Sequence, residues 1–295
     1  MGTFACGYVA VAGRPNVGKS TLTNKLLNFP LSIVTRKPQT TRQRLLGILT
    51  GEEYQVIFLD TPGMLVPRYA LQKVMNEAAW AAVEDADVVL LLTEPVADDF
   101  DGETNILDRL GKLGKKVILA INKIDLISKP SLLPLTEHFM GLYPFEEIVP
   151  VSALKSDGLD ILKKAIIAAL PEQAPFYPPD EITDKPMRFF AGEIVRQKVF
   201  ELYGEEIPYS VAAVVDEYKE REGSKDYIRV DVIAERDTQK AILIGRKGEA
   251  VKKLGRAARE AIEAFVGKPV FLEIRVQVRK NWRKDENSAR RYGHQ

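Results

Sequence analysis

Gly13-Arg14-Pro15-Asn16-Val17-Gly18-Lys19-Ser20 sets two glycines, a lysine and a hydroxyl at the spacing G-x-x-x-x-G-K-S. Glycines so placed let backbone N–H groups turn inward around phosphate oxygens, and a helix starting there adds its dipole. Lys19 would reach the β- and γ-phosphates, and Ser20 would ligate Mg2+. Thr21 follows in the first helical turn. A plain turn is the alternative reading of the octapeptide taken alone.

Three further short motifs follow in order. Asp60-Thr61-Pro62-Gly63 closes an apolar run. A carboxylate there can reach Mg2+ through water, and the Gly63 N–H can meet a γ-phosphate. Asn122-Lys123-Ile124-Asp125 closes a later run. The Asp125 carboxylate can accept both the ring N–H and the exocyclic amine of guanine, a donor pair that adenine lacks. Lys123 would lay its stem across the ring, and Asn122 would tie its loop to the phosphate loop. Ser152-Ala153-Leu154 closes another run, where the Ala153 N–H can meet guanine O6. Each tetrapeptide is weak singly. Together, at strand ends where α/β sheets bind ligands, they predict a GTP/GDP site.

The polar stretch 36–44 carries adjacent threonines, Thr40 and Thr41. One of them, Thr41 by preference, would ligate Mg2+ when GTP orders the loop; an ordinary surface loop is the alternative. The expected metal ligands are therefore Ser20, Thr41 and Asp60, and the expected catalytic residues are Lys19, Thr41 and Gly63. Met64 stands where many GTPases have a glutamine that orients water, and a thioether cannot do that. Intrinsic hydrolysis should be slow or use another device.

Near the other end, an apolar stretch stops at Gly245-Arg246-Lys247-Gly248 and a basic amphipathic stretch begins. A helix–GxxG–helix element that clamps single-stranded backbone is the KH device. Gly245, Arg246, Lys247, Gly248, Lys252, Lys253 and Arg256 are the candidate RNA contacts. A tight helix–helix turn with a solvated basic face is the alternative.

The elements that must position these groups alternate. Apolar runs at 8–13, 54–60, 87–93, 116–122 and 146–153 read as parallel strands covered on both faces, with helices at 19–28, 71–86 and 158–170. That implies a doubly wound α/β domain over 1–173. Five prolines in 171–186 mark a linker at 174–186. The remaining 187–295 reads α-β-β-α-α-β, an α+β domain with a further helix at 281–291. In the helix 248–266, Leu254, Ala258 and Ile262 belong to the packed stripe. Trp282 and Tyr292 could stack bases or anchor the terminal helix; anchoring is the commoner role. His138 reads as a helix-surface residue and His294 as a chain-end residue.

Composition bounds the rest. The chain has 295 residues, 45% hydrophobic and 28% charged, which suits two ordinary cores. One cysteine excludes an internal disulfide and a cysteine-rich zinc site, and fits a reducing, cytoplasmic setting. No apolar run approaches the ~20 residues of a spanning helix. The net charge of +1 conceals 15 cations against 6 anions in residues 240–295. Charge gathered so locally points to a polyanion partner or to a solvated basic face.

Taken with "QTTR" and "IPYS" (207–210), these motifs make the chain resemble the Era family of bacterial GTPases over nearly its whole length. The resemblance implies GTP hydrolysis to GDP and phosphate and a type II KH fold. It also implies binding near the 3′ end of 16S ribosomal RNA, a role in 30S subunit assembly, a monomer and peripheral association with the inner membrane. Wider relatives also have an apolar residue at the Met64 position, and some hold potassium with an asparagine matching Asn16. Two other readings stay open at this point. One is a GTPase whose C-terminal domain docks a non-ribosomal protein, and the other is a P-loop kinase.

Overall fold

A computed structural model describes the backbone of residues 4–95 and 101–293 and their side chains apart from 101–104. His294 lies outside the described residues. The chain forms two compact units, neither of them one continuous piece. The first takes Met1–Ser32, Thr41–Val66 and Met75–Asp184; the second takes Ile33–Thr40, Pro67–Val74 and Lys185–Gln295.

The first unit is built on a six-stranded sheet. In chain order its strands are β1 (Ala5–Gly13), β2 (Leu45–Thr50), β3 (Tyr54–Asp60), β4 (Val88–Thr93), β5 (Lys116–Ile121) and β6 (Glu147–Pro150). The spatial order is β2-β3-β1-β4-β5-β6, with β2 alone antiparallel to its neighbour. Helices α1 (Lys19–Leu27), α2 (Ala70–Asp85), α3 (Asp101–Leu113), α4 (Leu132–Leu142) and α5 (Leu159–Ala169) connect the strands. Val89 and Leu91 of β4 and Val117, Leu119 and Ile121 of β5 pack with Ala79 and Val83 of α2, Leu107 and Leu110 of α3 and Phe139 of α4. Fully burying each large aliphatic side chain contributes about 1.5–3 kcal/mol. His138 is exposed on α4.

The proline-rich run lies along this unit. Pro171 O accepts from Cys6 N at 3.0 Å, and Gln55 Oε1 accepts from the amides of Phe176 and Tyr177 at 2.8 and 3.0 Å. Ile182 O accepts from Ile48 N at 2.7 Å, and the Thr183 hydroxyl donates to Leu46 O at 2.7 Å. β2 is an edge strand, and this run occupies backbone groups that would otherwise be open to another strand.

The second unit follows the order α6 (Met187–Leu202), β7 (Ala212–Lys219), β8 (Asp226–Ala234), α7 (Asp237–Ile244), α8 (Glu249–Val266), β9 (Val270–Val278) and α9 (Glu286–Gly293). β8 is central, antiparallel to β7 and parallel to β9. Ile228, Val230 and Val232 alternate along β8 and pack with Val195 and Val199 of α6 and with Leu254, Ala258 and Ile262 of α8. The last helix starts later than the sequence suggests. The Asp285 carboxylate accepts the Ser288 N–H at 2.8 Å, and the turn before it contains Asn281 at φ 58°. Trp282 is buried, donates Nε1–H to Ser210 O at 3.1 Å and meets Tyr292 edge-on at 6.1 Å. It anchors the end of the chain, and its ring has no exposed face for a base to stack on.

Two excursions of the first unit's chain belong to the second unit. In 33–40, Lys37 Nζ donates to Phe200 O at 2.6 Å and to Tyr203 O, capping the last carbonyls of α6. Arg196, itself buried, donates to Thr40 O at 2.5 Å while paired with Glu193. In 67–74, Leu71 N donates to Arg283 O at 3.0 Å, and the Arg283 guanidinium lies 5.4 Å over the Tyr69 ring.

Candidate nucleotide site and basic turn

The octapeptide forms the loop between β1 and α1, with Gly18 as the residue before the first helical turn. Gly18 has φ 99°, and a Cβ there would stand 2.2 Å from Asn122 Nδ2, so only glycine fits. Arg14 and Pro15 are half-buried, Val17 is buried, and Asn16 is exposed at φ 69°. Thr21 is half-buried in the first turn of α1. Lys19 Nζ donates to Gly13 O at 3.0 Å and to Arg14 O at 2.8 Å. Burial pulls its pKa down to about 8, against the pull of Asp60. An anion among these N–H groups would favour the charged ammonium.

Beside Lys19, three oxygens converge. Ser20 Oγ donates to Asp60 Oδ2 at 2.8 Å and lies 2.8 Å from Thr41 Oγ1. Thr41, rather than Thr40, therefore brings its hydroxyl to Ser20. Asp60 is fully buried, and burial pushes its carboxyl up despite hydrogen bonds from Ser32 and Ser20 and the charge of Lys19. Its Oδ1 is buried without a hydrogen-bond partner among the described residues. A buried, unpartnered carboxylate oxygen beside two hydroxyls is a donor set suited to a hard divalent cation. Thr61 and Pro62 are buried, and the Thr61 hydroxyl donates to Val11 O at 2.7 Å. A Cβ on Gly63 would stand 2.6 Å from Pro15 Cα, so this residue lies directly against the phosphate loop. Met64 N donates to Gly13 O at 3.0 Å, while its side chain is buried with Ala79 and Val83. The thioether is core.

The base-side motifs are tied together. Asn122 donates Nδ2–H to Val17 O at 2.8 Å and accepts from Ala153 N at 2.9 Å, joining three loops through one amide. The Ala153 N–H, expected to meet guanine O6, thus already has a protein acceptor. The Ser152 hydroxyl donates to Asp125 Oδ1 at 2.6 Å, orienting that carboxylate. Lys123, at φ 64°, pairs with Glu94 at 2.5 Å, and Leu154 is exposed.

No motif or spacing in the sequence marks Glu94, Asn24 or Ser32. Ser32 Oγ donates to Asp60 Oδ2 at 2.5 Å, and its backbone exchanges two hydrogen bonds with the Asn24 side chain. The signal was one small polar residue between Leu31 and Ile33, both buried.

In the second unit, Gly245-Arg246-Lys247-Gly248 links α7 to α8. Gly245 has φ 71° and ψ 176°, a region essentially limited to glycine, and a Cβ there would meet Ala250 Cβ at 2.6 Å. Arg246 and Lys247 are exposed at the turn, and Lys252, Lys253 and Arg256 are exposed along α8. Gly248 caps α8, whose N–H groups add to this positive end.

Comparison with known proteins agrees in both units. Residues 8–123 match the family described as 50S ribosome-binding GTPase, and residues 206–283 match the KH domain. GTPase Era of Geotalea daltonii is 43% identical across 99% of this chain and 98% of its own length. A variant of Aquifex aeolicus Era with one tyrosine replaced by alanine, bound to GDP and aluminium fluoride, is 40% identical with a TM-score of 0.93, covering 98% of this chain and 99% of that one. Era in complex with MgGDPNP and nucleotides 1506–1542 of 16S ribosomal RNA is 41% identical with a TM-score of 0.94 and the same coverage. With identity of that extent over both units, the chain belongs to the GTPase Era family, an N-terminal GTPase domain joined to a C-terminal KH domain.

Proposed function

We propose that this GTPase is a guanine-nucleotide-controlled RNA clamp that takes the 3′ region of 16S ribosomal RNA in the cytoplasm and assists 30S subunit assembly. The observation that carries the reading is the full-length likeness to Era held with MgGDPNP and nucleotides 1506–1542, combined with an exposed Arg246–Lys247 turn at the head of a basic helix. Family membership sets the kinase reading aside.

At the nucleotide, the loop amides and Lys19 bind the β- and γ-phosphates, and Gly63 bounds the γ-phosphate side. Asp125, held by Ser152, accepts the two guanine donors, while Asn122 fixes the three loops. When bound, Mg2+ neutralises developing charge on the phosphate oxygens; Ser20, Thr41 and Asp60 are the residues that would hold it. Because the Met64 thioether is buried in the core, water must be positioned by backbone or by another group. Potassium at Asn16 and contact with membranes belong to the same reading. They are checked by hydrolysis in potassium against sodium and by flotation with vesicles.

RNA binding requires only that Gly245 and Gly248 let backbone approach and that Arg246, Lys247, Lys252, Lys253 and Arg256 meet phosphate. Titration of a 16S 3′-end oligonucleotide into protein loaded with GDP or a non-hydrolysable GTP analogue tests the proposal. Tighter binding in one nucleotide state is expected, since a nucleotide can shift RNA affinity only through differential binding. Replacing Arg246 and Lys247 by Asp should abolish RNA binding while hydrolysis persists. RNA affinity unchanged by that double replacement would favour the protein-docking alternative.

A further inference from the structure

Asp60 is held by two hydroxyls on a single oxygen. Ser20 Oγ and Ser32 Oγ both donate to Oδ2, at 2.8 and 2.5 Å, and Oδ1 is buried with no hydrogen-bond partner among the described residues. The two anchors differ in kind. Ser20 sits among the groups that would meet cation and phosphate, and its oxygen also lies 2.8 Å from Thr41 Oγ1. Its single proton therefore has competing acceptors. Among the described residues Ser32 has no such competition. It is 6% exposed, lies between the buried Leu31 and Ile33, and its backbone N–H and C=O are both engaged by Asn24, at 3.0 and 2.9 Å. Asn24 belongs to α1, which starts at Lys19, so the clamp is referenced to the same helix that carries Lys19 and Ser20. A carboxylate can turn about its own bond. A rigid donor on Oδ2 fixes that turn and with it the direction in which Oδ1 faces.

We infer that Ser32 is a positioning residue: its hydroxyl, held by Asn24, sets the rotation of the Asp60 carboxylate so that Oδ1 stays directed at the divalent cation's shell. The inference rests on the proposed cation cradle of Ser20, Thr41 and Asp60. Groups that orient a metal-binding side chain typically contribute 10–100-fold in metal affinity.

The test measures release of a fluorescent GDP analogue from the full-length protein across a range of free Mg2+, and again in excess chelator. Wild-type release should slow as Mg2+ rises. Ser32→Ala should require about tenfold more Mg2+ for half-maximal slowing, while release in chelator matches wild type. The near-isosteric pair Ser32→Thr and Ser32→Val isolates the hydroxyl, and serves alone if the alanine variant does not fold. Threonine should stay close to wild type, and valine should show the shift. An unchanged Mg2+ midpoint in Ser32→Ala overturns the inference, as does an equal shift in the threonine and valine variants. Faster release in chelator by the same factor as in Mg2+ also overturns it, because the effect would then be damage to the nucleotide pocket. Failure of the cradle reading looks different: wild-type release would not respond to Mg2+ at all.

Discussion

In the proposed nucleotide site the base choice rests on one carboxylate, Asp125, fixed by a 2.6 Å hydrogen bond from Ser152. Asp125→Asn replaces an acceptor by a mixed donor and acceptor, which mismatches guanine and matches xanthine. Losing a hydrogen bond to a charged group costs about 1.5–3 kcal/mol, so competition binding should show GTP weakened ten- to hundredfold and xanthosine triphosphate improved. An unaltered preference would remove Asp125 from the base site. The convergence of Lys19, Ser20, Asp60 and Asn122 was legible because the proposed phosphate and base chemistry demands fixed residue types at fixed spacing. Ser32 and Glu94 were not, since their partners Asp60 and Lys123 lie 28 and 29 residues away and only the fold introduces them. The Ala153 amide shows the other limit: its neighbours in sequence do not reveal that Asn122 occupies it.

At the scale of elements, long periodic segments read well, and α2 and α8 lie within a residue or two of where periodicity puts them. β2 lies outside the apolar runs that mark strands in the sequence. It contains Gly47 and pairs antiparallel at an edge, and neither alternation nor a continuous β-branched run marks it. The proline-rich run suggested a tether from composition alone, yet its carbonyls and side chains find partners on β1, β2 and β3. Trp282 was open in sequence because an indole can stack on bases as well as anchor a helix, the commoner role; burial and the bond to Ser210 decide for anchoring. Trp282→Ala should therefore cost the second unit about 3–5 kcal/mol. Thermal melting followed by circular dichroism should show an earlier transition, with nucleotide affinity kept. A melting profile like wild type would contradict an anchoring role.

For the whole molecule, the near-neutral total hides where charge acts, and the 15 cations of residues 240–295 should dominate the salt response. Affinity for single-stranded RNA should fall linearly with salt on logarithmic axes, by roughly 0.7 per phosphate neutralised. Replacing Lys252 and Lys253 by Ala should flatten that line by about 1.4 if each meets one phosphate. A line of unchanged steepness would place those lysines away from the RNA. The chain crosses from one unit to the other between Ser32 and Ile33 and returns between Thr40 and Thr41, then repeats the detour at Pro67–Val74. A truncation that begins at Lys185 thus discards lodgers its remainder was shaped around. Arg196 would lose the Thr40 carbonyl, the end of α6 would lose the Lys37 ammonium, and Arg283 would lose Tyr69. Cutting this protein at its proline run yields an incomplete half, and a weak result from such a fragment would speak of the missing pieces before it spoke of the RNA.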